Sequence, residues 1–349
     1  MRLRTLAPAL AILVALAASA SSSAQAPDPQ GAAPGSPNPL AGLPWFVDHE
    51  WGPAWREHRH LLKLGRRGEA GLMLKLAEQP QFKWFGRTSG TASPYRTMRA
   101  YFERMDQSMP GAVPQIVSMR HEGNDCGPHY TGGGARGDEL TRSWWRGFAR
   151  AVGDRRVVIA FEPDSLGTVG CLAASRQGAR LRLLREGVDI LSALPNATIY
   201  LDAGASDWQG PAETARKLRA IGVDKVRGFM LNATHMDWTA ANIRHGLKVS
   251  HLVGGKPFII NTSHNGNGAV HYRRWIDRSR HLWRQETVWC NPPNSAVGSA
   301  PTTNTANPKV DAYLWVERPG YSNGRCNGGP RTGVWWPERA LALARRAHW

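Results

Sequence analysis

The chain has 349 residues, 42% hydrophobic and 20% charged, with a formal net charge of +17. This balance excludes a disordered polymer, a collagen-like fibre and a coiled coil, and the length suits one large α/β domain or two ordinary ones. The positive charge is scattered with no long Lys/Arg run or RNA- or DNA-binding motif, so it reads as a solvated basic surface and no nucleic-acid partner is expected.

In chain order, residues 1–26 carry a secretory pattern: Arg2 and Arg4, then an apolar stretch from Leu6 to Ala18, then Ala24-Gln25-Ala26. The apolar stretch is too short to span a bilayer, and the small-x-small triplet suits cleavage. Export to the periplasm or the medium is expected, without a stable membrane anchor. Residues 27–43 are rich in Pro, Gly and Ala and read as a lead-in; residues 44–349 read as one catalytic-sized domain. Within it the pattern predicts helices over Gly68–Ala77 and Pro94–Asp106, a strand over Gln115–Met119, a helix over Thr141–Val152 and a strand over Val157–Phe161. Next come a helix over Ser175–Leu194, a strand over Thr198–Leu201, a helix over Ala212–Ile221, a strand over Val226–Leu231 and a helix over Trp238–Leu252. Strands over Phe258–Asn261 and Val310–Val316 and a helix over Pro337–Arg346 complete it. Such alternation implies a parallel sheet covered by helices, open or closed into a barrel.

Polar residues follow these strands: Asp125, then Glu162 and Asp164, Asp202, Asn232, Thr262 and Ser263, and Glu317. In a parallel sheet those positions share the C-terminal rim, where α/β barrels keep their chemistry. Fifteen tryptophans are more than a core of this size needs, and indole faces suit the flat apolar faces of sugar rings. Four cysteines, Cys126, Cys171, Cys290 and Cys326, favour two disulfides in an exported chain. Three pairings are open, and chain order suggests Cys126–Cys171 and Cys290–Cys326. Without a CxxC, a metal site is not expected.

The blocks Asn124-Asp125-Cys126-Gly127, Phe161-Glu162-Pro163-Asp164-Ser165-Leu166, Thr198-Ile199-Tyr200-Leu201-Asp202-Ala203-Gly204, Thr287-Val288-Trp289-Cys290-Asn291-Pro292 and Asp311-Ala312-Tyr313-Leu314-Trp315-Val316 occur in that order. Together they resemble glycoside hydrolase family 6, the endoglucanases and cellobiohydrolases of β-1,4-glucan, over about residues 38 to 347. The resemblance implies a distorted, incompletely closed parallel α/β barrel, TIM-like, with the cleft at the C-terminal rim of the strands. It implies the same two disulfides, an inverting mechanism without a cofactor, and a β-glucan polysaccharide or oligosaccharide as partner; a monomer is expected. Asp164 matches the general acid and Asp125 the second carboxylate that shares its proton. Thr131 falls near a serine that positions the attacking water. Trp208 and Trp289 match tryptophans that stack on glucose rings, and Asp202 and Asn232 match polar residues lining the cleft.

The departures from the family pattern concentrate at the site. Asn124 stands where the family has Arg, Met119 where it has Tyr, and Ala205 where it has His. In Trp315-Val316-Glu317-Arg318-Pro319-Gly320-Tyr321-Ser322-Asn323-Gly324, Glu317 replaces a Lys, Tyr321 a Glu, and Asn323 the Asp proposed as base. An amide cannot take a proton from water at neutral pH. Three readings compete: Glu317 or another carboxylate activates water, the substrate differs from cellulose, or the protein binds glycans without turnover. A basic protein that holds anionic polymer at the cell surface is a further competitor. The short segment between Trp289 and Cys326 favours an open cleft and internal cleavage.

Overall fold

A computed structural model describes residues 37–86, 89–90, 92–121 and 134–348, with the side chains of 134 and 135 left aside. The expected signal segment, Asp125, Thr131 and Cys126 of the expected Cys126–Cys171 pair lie outside the described residues.

Seven strands form one parallel sheet: β1 (Lys83–Gly86), β2 (Gln115–Met119), β3 (Val157–Phe161), β4 (Ala197–Asp202), β5 (Gly228–Leu231), β6 (Phe258–Asn261) and β9 (Val310–Leu314). They lie side by side in that order. The sheet curls until its two edges meet at a single isolated bridge, Gln81 to Trp315, supported by the Phe82 N–H on the Trp315 carbonyl (3.2 Å) and the Trp84 indole N–H on the Val316 carbonyl (2.7 Å). The barrel is therefore distorted and incompletely closed. Between β6 and β9 the chain makes an antiparallel hairpin, β7 (His271–Asp277) and β8 (Leu282–Thr287).

Eight α-helices are described: α1 (Pro53–Lys63), α2 (Arg67–Ala77), α3 (Tyr95–Ser108), α4 (Gly134–Val152), α5 (Ala174–Ser192), α6 (Pro211–Ile221), α7 (Thr239–Leu252) and α8 (Pro337–Arg345). Their limits follow from local chemistry. In α6, Pro211 opens the first turn, where its missing N–H costs nothing, Glu213 faces the positive end of the helix dipole, and Gly222 ends it at φ 91°.

Alternate strand residues face opposite sides. Ile116, Ile159, Phe161, Ile199, Leu201, Phe229 and Phe258 point outward into the layer shared with Trp144, Trp145, Phe148 and Leu184 of the helices. Val117, Val158, Ala160, Tyr200, Met230, Ile259 and Ala312 point inward and fill the barrel. Strands buried on both faces read as continuous apolar runs, which is why they are legible in the sequence.

Three differences from expectation have physical reasons. Residues from Asn38 already belong to the domain: Leu40 is fully buried in the barrel interior and the Asn38 amide donates to the Asp311 carbonyl (2.6 Å). The lead-in therefore stops short of residue 43. Helix α1 buries only Ala54 and Leu61, and β1 has four residues, so neither offers an apolar run like those that mark the other elements. The hairpin is exposed along nearly its whole length, which removes the buried–exposed alternation that marks a strand.

Candidate active site

The strand ends converge on one rim. Three of the residues there, Glu162, Asp164 and Asn232, hold positive φ of 50°, 69° and 66°. Such backbone is sparsely populated by side-chain-bearing residues and persists where the surroundings impose it, often at functional sites.

Glu162 is the anchor. Fully buried, it accepts hydrogen bonds from the Ser118 hydroxyl (2.5 Å), the backbone N–H groups of Arg120 (2.7 Å) and His121 (2.9 Å), the His121 ring (2.7 Å) and the Trp145 indole (2.8 Å). Burial alone would raise its pKa, but the His121 and Ser118 bonds and the charge of His121 outweigh it, and the carboxyl sits below its ordinary value. It ties the end of β2 to the end of β3 and to α4.

Asp164, two residues on, has the opposite environment. Its only described side-chain donor is the Thr234 hydroxyl, bonded to Oδ1. Burial raises its pKa, and the Thr234 bond and the charges of His235 and His121 only partly offset this. Asp202, the last residue of β4, is pushed up to about 8 by burial and by the like charge of Asp164. Its Oδ1 takes the Gly204 N–H (3.3 Å), whereas Oδ2 has no hydrogen-bond partner among the described residues.

Glu317, just beyond β9, is the third carboxyl of the group. Burial raises it to about 7, with Asp164 adding to the rise, against a lowering by the Asn323 amide and by Arg339. Asn323 Nδ2 donates to Oε1; Oε2 is buried and accepts no hydrogen bond among the described residues. His264 Nδ1 lies 3.5 Å from Oε2, but burial lowers this imidazole to about 3, so it stays neutral and the contact is not an ion pair. Asn323 is held in turn by a reciprocal pair of bonds with Asn291 (3.2 and 2.9 Å), and the Cys290–Cys326 disulfide clamps the same two segments.

His235 is the cation of the cluster. Burial would lower its pKa, but its bond to Asp207 (2.9 Å) and the charges of Asp207, Asp164 and Asp202 raise it. Asp207 also accepts from the Thr287 hydroxyl (2.8 Å) at the base of the hairpin. Trp208 is half-buried and stacks on His235 with ring centroids 4.7 Å apart; Gly167 approaches it so closely that a Cβ there would meet ring carbons at 2.2 Å. Much of this indole is thus used inside the protein. Trp289 is 52% exposed and presents an open platform. Asn232 is fully buried, with its amide donating to the carbonyls of Asp237 (3.2 Å) and Asn261 (3.1 Å) and accepting from the Asp237 N–H (3.0 Å). It braces the rim instead of lining an open surface.

The family model for glycosyl hydrolases family 6 matches residues 40–347. The chain belongs to this family. Endoglucanase A of Cellulomonas fimi is 34% identical over 281 residues, which covers 80% of this chain and 57% of that protein. Endoglucanase 1 of Streptomyces halstedii is 30% identical over 283 residues, covering 78% and 81% respectively. Among solved structures, the endoglucanase Cel6 from Mycobacterium tuberculosis, in complex with methyl-cellobiosyl-4-deoxy-4-thio-β-D-cellobioside, matches with a TM-score of 0.76 and 32% identity over 89% of this chain and 99% of that one. Endoglucanase CEL6B from Humicola insolens shares the fold at a TM-score of 0.72 and 21% identity.

Within this family 6 barrel the structure gathers Asp164, Asp202, Glu317 and Asn323 at the rim, with Trp208 beside them. Four participants went unnoticed in the sequence: Thr234, His235, Asp207 and His121. The run Asn232-Ala233-Thr234-His235 directly follows a strand and carried a signal for two of them. Asp207 and His121 become visible only once the strands are side by side.

Proposed function

We propose that this chain is an exported, inverting endo-β-1,4-glucanase with Asp164 as its general acid. The observation that carries this reading is a partly buried carboxyl, raised in pKa and supplied with one hydroxyl donor, at the rim of a family 6 barrel. Such surroundings favour the protonated carboxyl, the form that protonation of a glycosidic oxygen requires. With Oδ1 occupied by Thr234, Oδ2 is left to deliver the proton. Asp202, pushed up to about 8 by burial and by the like charge of Asp164, competes with Asp164 for a proton, which favours keeping one on the pair near neutral pH. Asp125 shares the acid's proton, Thr131 orients the attacking water, and Trp208 and Trp289 border the sugar.

Glu317 takes the proton from the attacking water. Its Oε2 accepts no hydrogen bond among the described residues but is shielded from solvent, so the proton reaches it through a water chain; Asn323 fixes Oε1, and a pKa of about 7 leaves the carboxyl about half ionised at neutrality and more so above it. The cycle balances: the water's proton goes to Glu317, its oxygen bonds to the anomeric carbon, the glycosidic bond breaks, and the leaving oxygen takes the Asp164 proton. Among the described residues no helix is long and apolar enough to cross a membrane. Export rests on the N-terminal pattern, and internal cleavage on the endoglucanase relatives.

The test is reducing-sugar release from soluble hydroxyethyl cellulose, with the anomer of the first product followed by NMR. The α-anomer should form first, and Asp164→Asn should remove turnover. Undiminished turnover in that variant, or a β-anomer, overturns the assignment. One observation favours a second reading: Asn323 holds the usual base position. A glycan binder without turnover would be retained on the same polymer yet release no sugar.

A further inference from the structure

The β7–β8 hairpin leaves the barrel beside the rim and carries exposed aromatic side chains that the hydrolytic site does not use. Its register pairs His271 with Thr287, Arg273 with Gln285, and Trp275 with Trp283, which places all six on one face. The opposite face is tied up in itself: the Tyr272 hydroxyl (2.7 Å), Arg274 (3.2 Å) and Arg284 (2.6 Å) all bond to Glu286. On the first face Trp275 and Trp283 are 48% and 42% exposed, and the Arg273 guanidinium lies over the Trp283 ring at 4.2 Å. This face is continuous with the site. Thr287 at its base bonds to Asp207, the partner of His235, and the ladder runs one residue further through the Val288 N–H on the Val270 carbonyl (2.8 Å). Trp289 follows two residues after Thr287, at most about 20 Å along the chain from Trp283, so the hairpin leads directly to it.

We infer that this face of the hairpin is an outer binding surface for the stretch of β-glucan chain that runs beyond the cleft, with Trp275 and Trp283 as its stacking platforms. Pyranose rings present apolar C–H faces that pack on indole while their hydroxyls reach polar neighbours, and Arg273 and Gln285 lie between the Trp275–Trp283 pair and the base of the hairpin. The inference rests on the glucanase reading, since the cleft supplies the chain that the hairpin extends. Its occupant is polymer: an oligosaccharide that only fills the cleft does not reach the distal pair.

The test separates the two readings. Retention of the full protein is measured by electrophoresis through gels containing hydroxyethyl cellulose, in an Asp164→Asn background so that the polymer is not digested. Adding Trp275→Ala and Trp283→Ala should weaken retention about tenfold, and Trp275→Ala alone about threefold. Both side chains are exposed, so truncation opens no core cavity, and an unchanged melting temperature verifies folding. In the active protein, the double variant should raise KM for hydroxyethyl cellulose several-fold more than KM for cellotetraose. Retention lost through these tryptophans in a protein that releases no sugar upholds the surface while the glucanase reading fails. Retention and the KM ratio both unmoved overturn the surface even in an active glucanase. A wild-type dimer that becomes monomeric in the double variant also overturns it, because a second copy would then be the occupant.

Discussion

The two ends of the barrel bury carboxylates in opposite ways. Inside the barrel, Asp311 takes two bonds from Arg227 (2.9 and 3.0 Å) and one from the Tyr200 hydroxyl (2.6 Å). Burial would lower the Arg227 pKa, but the bonds and charge of Asp311 raise it instead, so the charges hold one another in place. At the rim, Asp202 and Glu317 are buried and Asp164 partly so, with few donors and with one another as neighbours, and all three carboxyl pKa values rise. Burial is shared by both sets; the difference is the supply of cations and N–H groups. A carboxylate given its full set of donors becomes structure, and one denied them becomes a reservoir of protons.

The largest expected effect comes from breaking the rim. Asp164→Asn should lower kcat by about 10⁴ while leaving the fold intact, because it removes a proton donor but no described ion pair. Steady-state rates on soluble glucan, with melting curves alongside, check both halves. The converse change is Asp311→Ala, which strands a buried guanidinium. It should cost about 4 kcal/mol of stability, read from denaturant unfolding, with activity per folded molecule retained.

Glu317→Gln sharpens the contrast by moving rate and stability in opposite directions. kcat should fall about 10²-fold, and the acidic limb of the pH–rate profile, set near 7 in the parent, should flatten. In the unfolded chain this carboxyl ionises near 4.5, whereas the folded protein keeps its proton to about 7. The folded state thus binds more protons in that window, and stability falls as pH rises from about 4.5 to 7. The loss is roughly 3 kcal/mol, complete above the folded value. An amide cannot ionise, so the Gln variant should lose less stability than the parent across the same window in pH-dependent melts. The smallest effect is expected from Trp289→Ala, which removes one exposed platform: KM should rise several-fold with little change in melting temperature, about 1 kcal/mol of binding.

Much of the scaffold was legible because parallel strands buried on both faces leave uninterrupted apolar runs: Gln115–Met119, Val157–Phe161 and Phe258–Asn261 keep the same limits in sequence and structure. The rim was legible as a pattern, since each strand end carries a polar residue. The division of labour along it was not. Glu162 and Asp164 lie two positions apart in one motif, and only the packing of Ser118, His121 and Trp145 around the first makes it an anchor with a lowered pKa while that of the other is raised. Asn232 resembled a cleft residue because a polar side chain after a strand looks alike whether it faces sugar or backbone. The hairpin escaped for the reverse reason: its tryptophans pack against no core.

The clamp formed by Cys290–Cys326 and by the reciprocal bonds of Asn291 and Asn323 has a practical consequence for making the protein. It sits outside the main hydrophobic layers and holds together the two loops that carry Trp289 and Asn323. Material produced in a reducing cytoplasm should therefore be soluble and show a normal circular dichroism spectrum, yet have low specific activity. Air oxidation should recover catalytic output with almost no change in spectroscopic shape, so yield of folded protein is a poor proxy for yield of working catalyst.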